Sequence, residues 1–385
     1  MKKYYFIVVT MLIFSFIFFL SCSQESLVKK NEETLVTMKV DVAPIPVRSD
    51  GVMNLAYSVD FSDYTESGLT LVKATIINGD NGSIIESYSD SVLALHMVMP
   101  SAPPPTGQEK QNGTKKQDHP VFYVWLKLNL SEVPSKLSHE FIFTGYNNQE
   151  IIENGPIVEV NNVQPVIISP PMKGKGWFTI ETTELLTHHF KNEVTYDGKI
   201  YCPERFAVDY LQIDSDNNFF IGDEKVYENW VCYGKELLAV ADGIVTATHD
   251  GVPDNRPVGE IFDLEFLDMA GNYVIIDIGN NHYVAYCHMI PGSIKVKVGD
   301  EVKVGDILGL LGNSGMSTAP HLHFQITDGS SFYAGEGLPY VINRFFVSGY
   351  ATMNSVTDEF DVSMYTTPEQ KQNQLPENLR VLDFK

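Results

Sequence analysis

Alternating hydrophobic and polar positions run through the first half of the chain. Short alternating runs such as VTMKV, LTLVKATII and VFYVWLKL recur, and turn-forming clusters such as NGDNG separate them. Successive side chains of a β-strand point to opposite faces, so this pattern predicts half-buried strands. Residues 35–171 are therefore predicted to form an all-β, sandwich-like domain, with the proline-rich residues 100–120 as an exposed loop between strands.

The second half of the chain is also predicted to be mostly β, and turn-forming residues mark its boundary. The segment IISPPMKGKG, residues 167–176, has two prolines followed by two glycines and is predicted to be a hinge. A second domain then covers residues 177–346. Residues 347–385 are mostly polar and are predicted to be a C-terminal tail that is extended over the surface or mobile.

The start of the chain has the pattern of an export signal. Two lysines precede an almost wholly apolar run from Tyr4 to Leu20, which ends before Ser21 and Cys22. This layout resembles a bacterial lipoprotein signal, in which the cysteine is lipidated and becomes the mature N-terminus. Residues 1–22 are predicted to be the signal and residues 23–34 a tether. The protein is therefore predicted to be a lipoprotein of the cell envelope that is anchored to the membrane. An uncleaved membrane anchor is the alternative, and both interpretations place the following residues outside the cytoplasm.

Composition limits the partners and the covalent cross-links of the chain. The 385 residues carry a formal net charge of −22, which excludes nucleic acid as a partner because the phosphate backbone requires a basic surface. Four cysteines are too few for a disulfide scaffold. Cys202, Cys232 and Cys287 lie among hydrophobic runs and are predicted to be buried thiols, with a Cys202–Cys232 disulfide as an open alternative.

Candidate chemistry is concentrated in GLLGNSGMSTAPHLHFQI, residues 309–326. His321 and His323 are separated by one residue within a run of strand-forming residues, so both side chains should point to the same face. Leu322 and Phe324 should then form a hydrophobic layer on the opposite face. Two imidazoles one strand period apart can divide their roles, one binding a metal ion and the other acting on what the metal holds.

A third histidine, His288, lies upstream in YVAYCHM, which is one of five sequence blocks with a recognisable order. LLAVADGIVTA, GNYVIIDIG, YVAYCHM, VKVGDEVKVGDILGLLGNSG and PHLHFQI follow one another between about Leu238 and Ile326. In this order they resemble the antiparallel β-sheet core of the lysostaphin-type zinc metalloendopeptidases. The resemblance implies an enzyme with one zinc ion that cuts short peptides, mostly the cross-bridges or stem peptides of peptidoglycan.

The resemblance also implies a set of zinc ligands, which this chain matches only in part. His323 corresponds to the second histidine of the family's His-x-His pair, and Asp209 in RFAVDY corresponds to its ligand aspartate. The family's third ligand is a histidine four residues before that aspartate, where this chain has Arg205. A guanidinium group stays protonated and has no lone pair to donate to a metal ion.

Two replacements for the missing ligand are open. His189 in THHFK lies twenty residues before Asp209, and a branch of similar bacterial sequences has a histidine at about this place together with arginine in an RFA-D motif. His189 is the preferred zinc ligand, with His188 as the close alternative. Glu204 is the second replacement, although it is an odd number of residues from Asp209 and would need a bulge or a turn to reach the same face.

His288 and His321 correspond to the two histidines of the family that do not bind the metal. The resemblance implies that one orients or deprotonates water, while the other stabilises the tetrahedral intermediate or passes a proton to the leaving amine. The predicted function is that of a cell-envelope zinc metalloendopeptidase acting on peptidoglycan peptides. The alternatives are a degenerate member that binds cell-wall peptide or activates a partner hydrolase without cutting, and cleavage of peptides outside the cell wall.

Overall fold

The protein is mostly β, as the sequence pattern predicted. A computed structural model describes residues 35–62, 64–98, 120–196, 199–354 and 359–385. The predicted signal with Cys22, the tether and almost all of the predicted loop over residues 100–120 lie outside the described residues. In the part that is described, no helix is both long enough and apolar enough to cross a membrane.

Two five-stranded antiparallel sheets form an N-terminal unit, which we call the sandwich. The first sheet has the order β1-β3-β7-β6 with β2 beside β3, and the second has the order β10-β8-β4-β5 with β9 beside β8. Two short helices accompany them, α1 (Tyr64–Ser67) and α2 (Asp90–His96). The strands are β1 (Met38–Lys39), β2 (Val47–Ser49), β3 (Val52–Phe61), β4 (Thr70–Asn78), β5 (Ile84–Ser89), β6 (Met97–Val98), β7 (Val121–Leu128), β8 (Lys136–Thr144), β9 (Glu150–Asn154) and β10 (Val158–Glu159).

Alternation of side chains builds the sandwich core. Every second residue of β8 is buried, and Phe141 and Phe143 meet Phe61 edge to face between the two sheets. Strand β7 is buried on both faces, because Phe122 packs in this core while Tyr123 and Trp125 face the other way. A strand covered on both faces must have a second layer of protein against its outer side.

A ten-stranded antiparallel sheet dominates the rest of the chain. Its order is β20-β17-β18-β19-β22-β15-β12-β26-β24-β25, so strands from distant parts of the sequence become neighbours. The strands are β12 (Gly174–Ile180), β15 (Val208–Gln212), β17 (Gly243–His249), β18 (Asn272–Asp277), β19 (Tyr283–Met289), β20 (Glu301–Val302), β22 (Leu322–Thr327), β24 (Phe345–Asn354), β25 (Glu359–Lys371) and β26 (Arg380–Phe384).

Three two-stranded sheets and three short 3₁₀ helices complete the described structure. β11 (Val166–Ile168) pairs in parallel with β23 (Tyr340–Ile342). The other two pairs, which are antiparallel, are β13 (Val194–Tyr196) with β14 (Lys199–Tyr201) and β16 (Glu236–Leu238) with β21 (Ile307–Leu310). The 3₁₀ helices are His189–Lys191, Tyr227–Asn229 and Phe266–Asp268.

The structure differs from the prediction of a tail over residues 347–385. β24, β25 and β26 belong to the ten-stranded sheet, where β26 lies between β12 and β24. The hydrophobic residues Val381, Leu382 and Phe384 bury this strand despite the polar composition around it. The predicted hinge is also packed, since Ile168 and Met172 are buried and β12 enters the sheet at Gly174.

One hydrophobic core joins the sandwich to the ten-stranded sheet. The outward-facing Tyr123 and Trp125 of β7 belong to the same cluster as Phe190 and Phe206, which come from the second half of the chain. The layer that covers the outer face of β7 is therefore the segment just before β15. The boundary between the two predicted domains is a packed interface.

Candidate metal centre

The register of two neighbouring strands brings Asp209 and His323 together. Asp209 of β15 and His323 of β22 are directly paired in an antiparallel ladder, where paired residues share a face. His323 Nδ1 lies 3.0 Å from Asp209 Oδ1. Both side chains are buried. On the opposite face of β22, Leu322 and Phe324 are buried in the hydrophobic core, which confirms the predicted layer.

His189 reaches the same carboxylate from outside the sheet. It begins the 3₁₀ helix His189–Lys191, and its Nε2 lies 3.5 Å from Asp209 Oδ2. Its Nδ1 lies 2.8 Å from the carbonyl oxygen of Glu181, so Nδ1–H donates and the lone pair of Nε2 faces the carboxylate. His189, Asp209 and His323 each offer a ligand atom, and these atoms all lie within 4.8 Å of one another.

These three residues fit a zinc ion. A tetrahedral zinc site has bonds of about 2.0–2.2 Å, which place neighbouring ligand atoms roughly 3.3 Å apart. The contacts of His189 with Asp209 Oδ2 at 3.5 Å and of His323 with Asp209 Oδ1 at 3.0 Å are close to that separation, and one ligand atom of each residue lies within 4.8 Å of the others. Two imidazoles and one carboxylate form a donor set typical of catalytic zinc, which leaves a fourth position for water.

The charges of the site also favour a cation. Burial alone would raise the pKa of Asp209, but the surrounding histidines, through electrostatic attraction and the hydrogen bond from His323, hold it well below its usual range. Burial and the neighbouring histidines lower the pKa of His189 well below its ordinary value, in spite of the opposing charge of Asp209. A buried anion beside a neutral imidazole is an arrangement that a divalent cation would stabilise.

The two alternative ligands lie beside this cluster. His188, His189 and Glu204 form a second group of donor atoms within the same spacing. Glu204 lies in a turn before β15, so the alternation of faces along a strand does not determine where its side chain points. Its Oε2 accepts a hydrogen bond from Asn192 at 2.6 Å. His188 is exposed and is paired with Glu181 at 3.0 Å. Because both groups include His189, they describe one site with two possible ligand sets.

His321 and His288 stand next to the cluster, and a similar hydrogen bond orients both. His321 Nδ1 lies 2.7 Å from the carbonyl oxygen of Ala319, and its Nε2 lies 3.5 Å from Asp209 Oδ2. His288 Nδ1 lies 2.7 Å from the carbonyl oxygen of Ser314, and its ring centroid is 4.7 Å from that of His321. In each ring Nδ1–H is donated to the backbone, so Nε2 is the nitrogen that can exchange a proton.

The backbone of His288 is unusual. Its φ of 60° lies in the left-handed region, which a residue with a side chain seldom adopts. The backbone N–H of His288 donates to Ala270 at 3.1 Å, which holds the residue out of the regular ladder at the end of β19. Strain of this kind is concentrated at functional sites, where it fixes a side chain in one direction.

Arg205, which stands where a ligand histidine was expected from the resemblance, points away from the metal centre. Its Nη2 lies 3.4 Å from Glu336 Oε2 and 3.2 Å from Ser58 Oγ of the sandwich. Its guanidinium lies over the ring of Phe190, 5.9 Å from the centroid. The position four residues before Asp209 therefore serves the interface between the sandwich and the sheet.

The structure adds Gln325 and Glu181, two residues of the site that the sequence interpretation did not include. Gln325 Oε1 lies 2.8 Å from His323 Nε2, which turns Nδ1 of that ring towards Asp209. The backbone of Glu181 orients His189 in the same way. A signal for Gln325 was present, since it follows His323 by two residues in one strand and so shares its face. Nothing in the sequence marks the carbonyl of Glu181.

The predicted cysteine thiols are free and buried in the structure. Cys202, Cys232 and Cys287 make no disulfide with one another. The thiol of Cys202 instead lies 3.3 Å from the carbonyl oxygen of Phe190. Cys202 therefore packs against the segment that carries His189.

Part of the chain matches a known peptidase family. Residues 230–333 match the sequence profile of Peptidase family M23. The match supports the resemblance to the lysostaphin-type metallopeptidases, and the matched residues include His288, His321 and His323. Asp209 and His189 precede the matched range, so their place in the site rests on the geometry described above.

Relatives share a limited region with this chain. The peptidoglycan DD-endopeptidase ShyA of Vibrio cholerae serotype O1 is 46% identical over 93 residues, which are 24% of this chain and 17% of that protein. Lysostaphin of Staphylococcus simulans is 40% identical over 124 residues, which are 30% of this chain and 25% of that protein. An uncharacterized metalloprotease of Buchnera aphidicola is 37% identical over 87 residues, or 20% of this chain. The chain spans about a fifth of the length of these relatives, between 17% and 25%.

Among solved structures, the catalytic domain of lysostaphin from Staphylococcus simulans is similar to part of the chain. It is 27% identical, with a TM-score of 0.20, and the alignment covers 34% of this chain and 73% of that chain.

Proposed function

We propose that this chain is a zinc metalloendopeptidase of the cell envelope that hydrolyses peptide bonds in peptidoglycan. The observation that carries the proposal is the grouping of His189, Asp209 and His323 around one buried point, with His288 and His321 beside it. A structural zinc site would be closed by a fourth protein ligand, whereas two free imidazoles are what hydrolysis needs.

The side chains have distinct roles in this proposal. His189, Asp209 and His323 hold zinc, which when bound supplies polarisation of a carbonyl group and activation of a water molecule. His288 and His321 each direct Nδ1 to a backbone carbonyl, so Nε2 is the atom that can exchange a proton; in His321 it lies 3.5 Å from Asp209 Oδ2. One of the two takes the proton of the attacking water, and the other donates to the oxygen of the tetrahedral intermediate or to the leaving amine.

Peptidoglycan is the proposed substrate because of the named relatives. ShyA is a peptidoglycan DD-endopeptidase, and it aligns with this chain at 46% identity. The net charge of −22 is unfavourable for a nucleic-acid substrate, because the phosphate backbone is bound by basic side chains.

Metal content provides the first test. The purified full-length chain should contain about one zinc ion, measured by elemental analysis against protein concentration. His323→Ala should abolish zinc binding, because two remaining ligands hold the ion weakly. His189→Ala should lose zinc if this histidine is the third ligand, while His188→Ala and Glu204→Gln are matched controls that should retain it. Zinc retained in His189→Ala and lost in Glu204→Gln would reverse this assignment.

Hydrolysis provides the second test. Purified peptidoglycan is incubated with the zinc-bound chain, and the released fragments are identified by mass spectrometry. His288→Ala and His321→Ala should retain zinc and release no fragments, since these side chains act on the proton and the oxygen. A wild-type chain that neither contains nor accepts zinc, and that still binds peptidoglycan, would refute the enzyme and favour a degenerate, non-catalytic member that binds cell-wall peptide.

We also propose that Cys22 carries a lipid that anchors the protein to the membrane. The support is the apolar run from Tyr4 to Leu20 followed by Ser21 and Cys22. Cys22→Ala should release the protein from membranes or leave it unprocessed, as judged by fractionation and by the mass of the mature chain. Unchanged processing and attachment in that variant would exclude lipidation at Cys22 and favour an uncleaved anchor.

A further inference from the structure

We propose that the sandwich is a working part of the metal centre, because it holds the segment that presents His189. Phe190, Trp125 and Tyr123 are then positioning residues for zinc binding. This inference rests on the proposed function to the extent that His189 is a zinc ligand. It assigns to the N-terminal half of the chain a role that goes beyond spacing or attachment.

The ligand candidates are not equally supported by the sheet. Asp209 and His323 lie on neighbouring strands and are in register, so the ten-stranded sheet alone fixes their separation. His189 lies in a 3₁₀ helix of three residues. A single turn of this kind is not stable in isolation, so contacts with the rest of the protein must determine where its side chains point.

The sandwich supplies the main contacts of that turn. Phe190, the residue after His189, is fully buried against the outer face of β7. Its ring centroid lies 4.8 Å from that of Trp125 and 5.4 Å from that of Tyr123, both edge to face. Trp125 is itself fixed, because its Nε1–H donates to Asn54 at 2.9 Å. Phe190 therefore packs in a rigid aromatic pocket of the sandwich.

Polar contacts attach the backbone of the turn to the same unit. The hydroxyl of Tyr123 donates to the carbonyl oxygen of Lys191 at 3.4 Å. The ammonium of Lys191 donates to the carbonyl oxygen of Leu95 in α2. From the opposite side, the thiol of Cys202 contacts the carbonyl oxygen of Phe190 at 3.3 Å. The turn is thus held between the sandwich and the loop that leads into β15.

Loss of the aromatic pocket should weaken zinc binding without disturbing the other two ligands. Substitution of residues that orient metal ligands typically lowers affinity by about 10- to 100-fold. We therefore expect Trp125→Ala in the full-length chain to raise the dissociation constant for zinc by about 10-fold, measured by competition with a chelating dye. Phe190→Leu is a milder variant for the case in which Trp125→Ala does not fold, and it should give a smaller increase of the same sign.

Phe143→Ala is the matched control for general damage to the sandwich. Phe143 is also a fully buried aromatic residue of the sandwich, but it packs against Phe61 and Tyr64 in the inner core. It should lower the melting temperature at least as much as Trp125→Ala while leaving the dissociation constant for zinc unchanged. An equal loss of zinc affinity in Phe143→Ala and Trp125→Ala would overturn the inference.

A double-mutant cycle with His189→Ala closes the test. If the aromatic pocket acts through His189, Trp125→Ala should not weaken further the residual zinc binding that Asp209 and His323 retain in His189→Ala, measured at zinc concentrations high enough to saturate it. An effect of Trp125→Ala that is as large with and without His189 would overturn the inference. Zinc binding that depends on His189 but not on Trp125 or Phe190 would refute this inference alone, whereas a wild-type chain that binds no zinc would refute the proposed function as well.

Discussion

Replacement of Arg205 by alanine should destabilise the protein in a way that depends on pH. The guanidinium is buried, pairs with Glu336 at 3.4 Å and reaches Ser58 across the interface at 3.2 Å. Removing one partner of a buried ion pair typically costs about 3–5 kcal/mol, because the other charge stays buried without compensation. Among the described residues, Nη1 of Arg205 has no hydrogen-bond partner, so its removal relieves roughly 1 kcal/mol of that cost. The expected loss at pH 8 is therefore about 2–4 kcal/mol.

Two buried carboxyl groups determine the pH dependence. Burial raises the pKa of Glu193 to about 7, although the charge of Arg205 opposes this rise, and burial also raises the pKa of Glu336. A carboxyl group whose pKa is raised in the folded state favours the folded state most when it is protonated. For Glu193 this contribution is complete below its ordinary pKa of 4.5 and is lost as pH rises through about 7. Without Arg205 both pKa values rise further, so the loss continues to higher pH.

The penalty of Arg205→Ala should thus grow between pH 5 and pH 8. Urea unfolding at both pH values, with metal removed by a chelator, gives the free energies of unfolding that decide this. Arg256→Ala is the matched control, because that arginine is exposed and its pair with Glu228 at 3.7 Å should contribute less than about 1 kcal/mol at either pH. A penalty for Arg205→Ala that is the same at pH 5 and pH 8, or no larger than that of Arg256→Ala, would refute the reasoning.

Two further predictions concern histidines. Burial lowers the pKa of His139 from its ordinary value of 6.5 to about 4 in the folded protein. Between these pH values the histidine is protonated in the unfolded chain but not in the folded one. The free energy of unfolding of the wild-type protein should therefore fall by up to about 3 kcal/mol as pH falls from 6.5 to 4. His139→Gln should remove this dependence of the free energy of unfolding on pH. Free energies of unfolding that fall in parallel for the wild-type protein and the variant over this range would contradict the prediction. Gln325→Leu should lower zinc affinity by about 10-fold with an unchanged circular dichroism spectrum, because His323 Nε2 loses its partner at 2.8 Å. Unchanged zinc affinity would show that Gln325 does not orient His323.

The sequence predicted those parts of the site that depend on local periodicity. His321 and His323 approach the same carboxylate, because a strand places every second side chain on one face. The same periodicity predicted the hydrophobic layer formed by Leu322 and Phe324. Asp209 lies opposite His323 as a result of strand pairing, and the resemblance to a family implied that these two distant residues share one site.

Features that depend on distant contacts were outside the reach of the sequence pattern. β26 was predicted as part of a polar tail, because only a few of its residues are hydrophobic and their partners in β12 and β24 are far away in the chain. The sequence shows that position 205 cannot supply a zinc ligand, because it is an arginine. It does not show that the guanidinium of Arg205 contacts Ser58 and Glu336. The limits of the two domains remain predictions, since one hydrophobic core crosses the predicted boundary.

The position of β26 has a consequence for the order in which the protein can fold. β26 pairs with β12, and the side chain of Asp383 accepts a hydrogen bond from the backbone of Gly176, 207 residues earlier in the chain. During synthesis, one edge of β12 therefore stays open until every other strand of the ten-stranded sheet has emerged. An open strand edge readily pairs with other chains, so the nascent protein is exposed to aggregation throughout this interval. A chaperone that covers extended segments would be most needed at this stage, when the residues of the metal centre have all been made but the sheet that supports them is still incomplete.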